Sequence, residues 1–340
     1  MSGRPVVQRW TRLSRGSTGG ALVLLVALAF VPVLLGANAT QKLTLLFVLV
    51  ILAAMWNALA GYGGLVSVGQ QAYIGLGAYG TIYLANHNVA PYPALLLATV
   101  FAGAVGLPVS YLVLRMRGGQ FAIATWVVAE VFAIVVSLDK SLGAGTGTSL
   151  IELNRYTPDE RRAYTYWLAL GAMTFLLALL FVLLRSRLGA SLQAIRDDEE
   201  AAASVGVRVM AGKRILYVVA ALGCGAAGAI TLSNTLFIQP GSIFGIQWTA
   251  YMIFMVLVGG LGTFEGPILG AIILFLVQDW FADRGVWYLV GLGLTAILFA
   301  LLLPHGLWGA LEERFSLRLL PVGYRVRGLP SRARAAEGDA

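Results

Sequence analysis

Charged residues are scarce in this sequence of 340 residues, since only 12% of them are Asp, Glu, Lys or Arg. A soluble domain usually carries about 25%. Hydrophobic residues make up 59% of the chain, and the mean hydropathy is +0.81. This balance excludes an ordinary water-soluble globular protein and indicates a membrane protein.

Cysteine and histidine are almost missing as well. The single cysteine, Cys224, cannot form a disulfide within the chain. The two histidines, His87 and His305, lie far apart and show no metal-ligand spacing. No nucleophile–base set falls inside an apolar segment, so the sequence predicts neither a metal site nor a catalytic site.

A nucleotide-binding motif is also absent. The nearest approach to a P-loop is "GVRVMAGKR", in which Gly206 stands one residue too early and Arg214 replaces the Ser or Thr that would hold magnesium. The "GLGAYG" of residues 75–80 fits G-x-G-x-x-G, but neither a preceding strand nor a following acidic residue accompanies it. We therefore expect this chain to bind no cofactor.

Long apolar runs dominate what is present, and a helix needs roughly 20 such residues to cross a bilayer. They predict an all-α, polytopic transmembrane helical bundle of about ten spans, within a range of about nine to eleven. The first could also be a cleaved signal, because "ANA" follows it, but a retained anchor is favoured. The candidate spans are 21–36, 43–60, 65–85, 92–114, 120–138, 164–184, 215–236, 248–262, 267–282 and 286–303.

The distribution of Lys and Arg predicts the orientation. Placing both termini in the cytoplasm puts most of these residues inside, as the positive-inside rule requires. The net charge of +8 then reflects topology and argues against nucleic-acid binding. The predicted parts are a basic cytoplasmic segment 1–20, a transmembrane domain 21–303 with an extracytoplasmic loop 139–163 and a cytoplasmic loop 186–214, and a basic, partly disordered cytoplasmic tail 304–340.

The cytoplasmic loop 186–214 carries four acidic residues in a row, Asp197 to Glu200. An apolar stripe at helical spacing predicts one amphipathic helix from Leu188 to Val205, with Glu199 on the stripe. Interfacial helices usually present Lys and Arg to anionic lipid. The carboxylates here favour docking into a groove of another protein, although a helix lying on the lipid surface is the alternative.

Glu200-Ala201-Ala202, followed three residues later by Gly206, resembles the EAA---G core of the coupling loop in ABC importer permeases. Four further blocks, at 57–80, 115–131, 143–150 and 258–271, are similar in order to the LivM-type permease family of branched-chain amino acid uptake systems. The Ile-x-Leu-Pro that usually continues the loop motif is absent. Gln70 also departs from the pattern, because many relatives carry His there.

The resemblance implies partners for this chain. They are two cytoplasmic ATPase subunits that hold ATP and magnesium, a second homologous permease, and an extracytoplasmic substrate-binding protein, assembled in the lipid of a bacterial inner membrane. The residues expected to couple to the ATPases are Arg196, Glu199, Glu200, Ala201, Ala202 and Gly206.

Seven glycines lie within residues 61–80, which indicates either close helix packing or a broken helix. Glu130 is the one acidic residue well inside a span; it could meet a substrate ammonium or make a structural bond to a neighbouring helix or subunit. The outward "GAGTGTSL" could touch the binding protein, form a gate, or be an ordinary loop. The candidate substrate pathway is Ser67, Gln70, Gln71, Tyr73, Glu130 and Thr146.

The block "VGGLGTFEGPILGA" predicts a tight helical hairpin on the cytoplasmic side, because its glycines permit a turn and Pro267 suits the first turn of a helix. Thr263 and Glu265 could make a second, minor ATPase contact. The hairpin residues are Gly259, Gly260, Gly262, Thr263, Glu265, Gly266 and Pro267.

Together these patterns predict a permease subunit, with no enzymatic activity of its own, for branched-chain or related small amino acids. Import of urea or short amides is the alternative within the family, since the paired glutamines would suit a neutral solute. An ion-coupled secondary transporter is a further alternative, but it would need more intramembrane carboxylates than Glu130.

Overall fold

The computed structural model describes residues 6–8, 12–281, 285–303, 305–315 and 325–327. Most of the predicted tail 304–340, and with it the prediction of partial disorder, lies outside these residues. The α-helices are α1 Arg12–Ala29, α2 Val31–Leu34, α3 Ala37–Asn57, α4 Gln71–Asn86, α5 Pro91–Val113, α6 Gly119–Leu138, α7 Pro158–Arg185, α8 Arg187–Asp197, α9 Glu199–Ser204, α10 Val209–Thr235, α11 Pro240–Ile243, α12 Gln247–Gly259, α13 Gly266–Phe281, α14 Val286–Leu302 and α15 Gly306–Phe315.

Other elements are short. A π-helical segment, Ala58–Tyr62, continues α3, and single 3₁₀ turns occupy Lys140–Leu142 and Ile151–Arg155. Strands β1 Val6–Gln8 and β4 Arg325–Arg327 pair antiparallel, as do β2 Thr148–Ser149 and β3 Phe237–Ile238. The molecule is a helical bundle, as predicted.

Within the described residues, seven helical segments are long and apolar enough to cross a membrane. The predicted span 21–36 is divided between α1 and α2. The helix of the predicted span 65–85 begins only at Gln71, because residues 64–70 are not helical. Two shorter apolar helices, Gly16–Ala29 and Gly266–Phe281, accompany the seven. The seven are Ala37–Tyr62, Pro91–Val113, Gly119–Leu138, Pro158–Arg185, Val209–Thr235, Pro240–Gly259 and Trp287–Glu312.

The bundle has two ends that differ in their contacts. At one end, called the loop end below, α8 and α9 meet the start of α10, the π-helical segment after α3, and the turn between α12 and α13. At the opposite end, called the far end, β2 in the loop after α6 pairs with β3 after α10. Successive long helices run between these two ends.

The core lies around α3, α4 and α10. About 83% of the most apolar part of α3 is buried, against 22% for α6, which lies at the periphery. Helices α4 and α10 pack backbone to backbone: a Cβ on Gly77 would lie 2.0 Å from the Gly225 carbonyl oxygen, and one on Gly228 would lie 1.9 Å from that of Ile74. Close packing therefore explains the glycines of α4, whereas the chain before α4 is broken.

Candidate coupling and translocation site

The acidic loop forms two helices instead of the single one predicted. The break is at Asp198, whose backbone is extended (φ −153°, ψ 108°). Its Oδ1 accepts hydrogen bonds from the amides of Glu200 and Ala201, both at 2.9 Å, and so caps α9. An aspartate at this position satisfies amide groups that the start of a helix leaves free. The local bonding of Asp198 thus outweighs the helical periodicity.

Most of the predicted apolar stripe faces the bundle. Leu192, Ile195 and Ala202 are buried, whereas Val205 is 79% exposed and does not belong to the stripe. The chain turns away after α9 at Gly206, which has a left-handed φ of +85°. Since Ala202 is buried, Glu200, Ala201 and Gly206 are the motif residues that stay open to a partner, together with the exposed 203–205.

The two glutamates of α9 have different environments. Glu199 accepts a hydrogen bond from Lys213 Nζ of α10 at 2.7 Å, and the Lys213 side chain is only 10% exposed. Arg117, in the loop between α5 and α6, lies 3.8 Å from both Glu199 and Glu200. The side chain of Glu200 is 87% exposed. Glu199 therefore holds α9 to the bundle, and Glu200 is the carboxylate presented to solvent.

Arg196 connects α8 to the end of α3. Its Nε and Nη2 donate to Asp197 Oδ1 at 2.9 and 2.8 Å, while its Nη1 donates to the Gly61 carbonyl oxygen at 2.9 Å. Gly61 belongs to the π-helical segment, where backbone carbonyls depart from the usual α-helical pattern. Arg196, whose side chain is 39% exposed, thus ties the surface helix α8 to the point where the chain enters the broken segment 64–70.

The predicted hairpin between α12 and α13 is confirmed. Asn57, at the end of α3, holds its turn on both sides: Oδ1 accepts from the Gly262 amide and Nδ2 donates to the Thr263 carbonyl, both at 2.8 Å. The Thr263 hydroxyl donates to Gly260 and accepts from the Gly266 amide, so it caps α13. Its polar atoms are occupied within the turn, and the minor ATPase contact predicted for Thr263 and Glu265 stays a prediction.

Four of the predicted pathway residues come together in the core. Ser67, Gln70, Gln71 and Tyr73 are all fully buried at the broken start of α4. Gln70 Nε2 donates to Ser67 Oγ at 3.2 Å, and Gln71 Oε1 accepts from Thr249 Oγ1 at 2.6 Å. The Oε1 of Gln70 is buried and has no hydrogen-bond partner. A buried amide oxygen without a partner is costly, so this neutral polar cluster has unused capacity to bind.

The cluster is held by residues from several helices. Trp56 Nε1 donates to the Ser67 carbonyl at 2.9 Å, and the Val68 amide donates to Thr125 Oγ1 of α6 at 3.1 Å. The Tyr73 hydroxyl donates to that of Tyr217 of α10 at 3.1 Å. Helices α3, α6 and α10 therefore position the non-helical segment.

The structure does not bring Glu130 to this cluster. Glu130 lies on the exposed face of α6, where its Oε1 accepts from Trp126 Nε1 at 3.0 Å. The opposite face of α6, which includes Phe121 and Thr125, is the buried one. Within one subunit Glu130 therefore does not lie beside Gln70, and its predicted contact with a substrate or another subunit would take place on the surface of α6.

Thr146 is also remote, because it lies beyond the far end of α6, about 30 Å of helix from its start. Its hydroxyl donates to the Gly143 carbonyl at 2.7 Å inside the loop. In the same loop, hydrogen bonds from the hydroxyl and amide of Ser141 lower the pKa of Asp139 below its usual value. Thr146 therefore belongs to a structured loop at the far end.

Comparison with known proteins identifies the family. Residues 38–303 match the family described as "branched-chain amino acid transport system / permease component". The chain belongs to this family. Its members are transport permease components, so the chain is a multi-pass membrane permease.

Curated relatives of this permease include the high-affinity branched-chain amino acid transport system permease protein LivM of Escherichia coli K12, which is 28% identical over 89% of this chain and 78% of its own length. LivM of Salmonella typhimurium LT2 is 27% identical over 87% of this chain and 76% of its own. Among solved structures, PsaBC from Streptococcus pneumoniae in complex with Fab is similar, with 15% identity, a TM-score of 0.45, and coverage of 78% of this chain and 90% of that one.

Several residues that join different helices of the permease were not predicted from sequence patterns. Lys213 and Arg117 have no motif, although a lysine at the start of an apolar helix following an acidic loop is a usable signal for Lys213. Asn57 is a further such residue, because it joins the end of α3 to the turn between α12 and α13. Thr125 and Thr249 carry no signal, because a threonine in an apolar helix usually bonds to its own backbone.

Proposed function

We propose that this permease is the subunit of an ABC importer that moves branched-chain or related small amino acids into the cytoplasm, with ATP hydrolysed on separate subunits. The observation that carries the proposal is the arrangement of α8 and α9. One carboxylate, Glu200, is exposed for a partner, while the neighbouring Glu199 and Arg196 hold the two helices to α10 and α3.

Two paths lead from the docking surface into the bundle. The first goes from Glu199 to Lys213, at the start of α10, which packs against α4 and α5. The second goes from Arg196 to Gly61 and into segment 64–70, which contains Ser67 and Gln70. A partner that moves α8 and α9 on ATP binding would shift both sides of the buried polar cluster and alternate access to it.

The proposed topology is ten passes with both termini in the cytoplasm. The helices that run between the two ends support it. The seven long segments account for seven passes, and α1, α4 and α13 supply the other three. The pairing of β1 with β4 also places both ends of the chain together. The loop end then faces the cytoplasm of a bacterium, and the far end with β2 and β3 faces outward.

The proposed assembly contains two ATPase subunits, a second homologous permease and a substrate-binding protein. The exposed surface of α9 supports the contact with the ATPase subunits, and the largely unburied surface of α6 supports the contact with the other permease. Loop 139–163, structured by β2, would meet the binding protein at the far end.

The test is transport by the assembled system. This chain is co-expressed with the two ATPases, the permease and the binding protein encoded beside it, and the complex is reconstituted into liposomes. We expect ATP-dependent accumulation of radiolabelled leucine, isoleucine or valine. Accumulation of urea or acetamide instead would establish the alternative substrate class, and uptake that requires an ion gradient but no ATP would contradict the proposal.

A further inference from the structure

A deep apolar slot opens on the side of the bundle between α5 and α7, with α10 as its floor. Its volume is about 530 Å³. Leu96 and Val100 of α5 and Phe175 of α7 form its exposed rim, and Ala226 and Ala229 of α10 lie at its base. Thr99 is the one polar residue of its lining, and its hydroxyl is already bonded to the Leu95 carbonyl at 2.9 Å.

The slot lies toward the far end of the bundle, and its mouth there is aromatic. Tyr92, one turn before Leu95 on α5, contacts the Tyr164 ring of α7 with centroids 5.6 Å apart and planes at 86°. Tyr156 contacts both rings, at 5.2 and 5.8 Å, and Trp167 lies beside Tyr164 at 6.2 Å. Tyrosine and tryptophan prefer the headgroup level of a bilayer, so this cluster marks where lipid headgroups lie.

A positive charge stands at the same level. Arg161, Tyr164, Leu168, Gly171 and Phe175 follow one another at three- and four-residue intervals, so they share one face of α7. The Tyr92 hydroxyl donates to the Arg161 carbonyl at 3.4 Å, which places the backbone of Arg161 at the mouth.

The charge of Arg161 is not neutralised by the nearby acids. In the described part of the chain, no salt bridge includes Arg161. Arg162 pairs with Asp159 at 2.8 Å, and Glu160 accepts hydrogen bonds from the amide and hydroxyl of Thr157. The guanidinium of Arg161 is therefore available for an anionic group, and arginine matches phosphate oxygens well.

We propose that this slot binds a phospholipid of the leaflet at the far end, which is the outer leaflet in the topology proposed above, with acyl chain carbons between α5 and α7 and its phosphate at Arg161. The occupant is a lipid and not a helix of another subunit because the mouth of the slot combines an aromatic cluster at the headgroup level with the charge of Arg161, which together match a phospholipid headgroup. Flexible hydrocarbon chains can follow the apolar walls of α5 and α7 below it.

Gly171 offers a way to fill the slot without disturbing the fold, because a Cβ built on it meets no atom within 4 Å. The test uses the full chain in its complex, purified in mild detergent from vesicles of phosphatidylglycerol and phosphatidylethanolamine, and counts bound phospholipid by native mass spectrometry. The variants are G171F, which fills the slot, and R161Q, which removes the charge. Their matched controls are G293F, at an exposed α14 glycine that also has open space, and K140Q, an exposed lysine of the far end.

We expect the wild type, G293F and K140Q to retain one phospholipid that G171F loses, and R161Q to lose the anionic lipid in preference to the zwitterionic one. Retention of the same lipid by G171F would overturn the proposal. It would also be overturned if G171F blocked assembly with the second permease while the isolated chain kept its lipid, because the occupant would then be a protein helix. Transport activity is not a readout here, so failure of the proposed function leaves the result interpretable.

Discussion

Arg196 and Gly61 are 135 positions apart in the sequence, and the guanidinium of the first donates to the carbonyl of the second at 2.9 Å. This bond joins α8, on the surface of the loop end, to the π-helical end of α3. A Cβ on Gly61 would lie 2.4 Å from Asn57 Oδ1 and 2.6 Å from the Gly262 amide nitrogen. Loop, core helix and hairpin turn therefore meet at one glycine, and movement of any of them must affect the other two.

Replacement of Arg196 should separate ATP hydrolysis from transport. R196A removes the bond to Gly61 and leaves that carbonyl to water, at a cost of about 1 kcal/mol in stability. We expect a folded complex with a lower ratio of substrate imported to ATP hydrolysed, measured in liposomes. R187A, at an exposed arginine of the same helix, is the control. A normal ratio in R196A would contradict the mechanical role of this bond.

The two adjacent glutamates of α9 should behave differently. E200K changes an exposed side chain, so the thermal stability of the isolated chain should stay within about 0.5 kcal/mol while ATPase binding is weakened. E199Q removes the charge that faces the nearly buried Lys213 and should cost about 1–3 kcal/mol, less than a fully buried pair because Glu199 is 27% exposed. Thermal unfolding and co-purification of the ATPases distinguish the two effects.

Equal effects of E200K and E199Q on ATPase co-purification, with no loss of stability in either, would contradict this division of roles. The assignment would also fail if E200K imported substrate at the wild-type rate.

Asn57 should stabilise the hairpin at the loop end. N57A removes two buried hydrogen bonds and leaves the Gly262 amide and the Thr263 carbonyl without partners, each worth about 1–2 kcal/mol. We expect a clear drop in melting temperature in detergent. N57D keeps the acceptor for Gly262 but sets a buried carboxylate oxygen against the Thr263 carbonyl, so it should be at least as unstable as N57A. N86A, at an exposed bond of 3.4 Å, should have almost no effect.

Sequence patterns predicted the parts of this fold that depend on local preference. Most span boundaries agree within a few residues, since they follow hydropathy, and the hairpin follows from glycines and Pro267. The break at Asp198 escaped prediction because side-chain capping competes with helical periodicity. The exposure of Glu130 and Val205 could not be predicted either, because it depends on which neighbouring helices cover that side of the helix.

Glu130 lies 11 residues into a helix of 20, so it is near the middle of the span, and it is exposed on the surface of the subunit. A carboxylate at that depth is expensive in lipid, so a second subunit or a polar pathway must cover it in the assembly. E130Q should leave the isolated chain as stable as the wild type, because Trp126 can donate to an amide oxygen as well. A contact with the substrate ammonium predicts a raised KM with normal complex yield, whereas a subunit contact predicts a reduced yield. Uptake kinetics and co-purification of the second permease separate these outcomes, and normal values of both would remove Glu130 from either role.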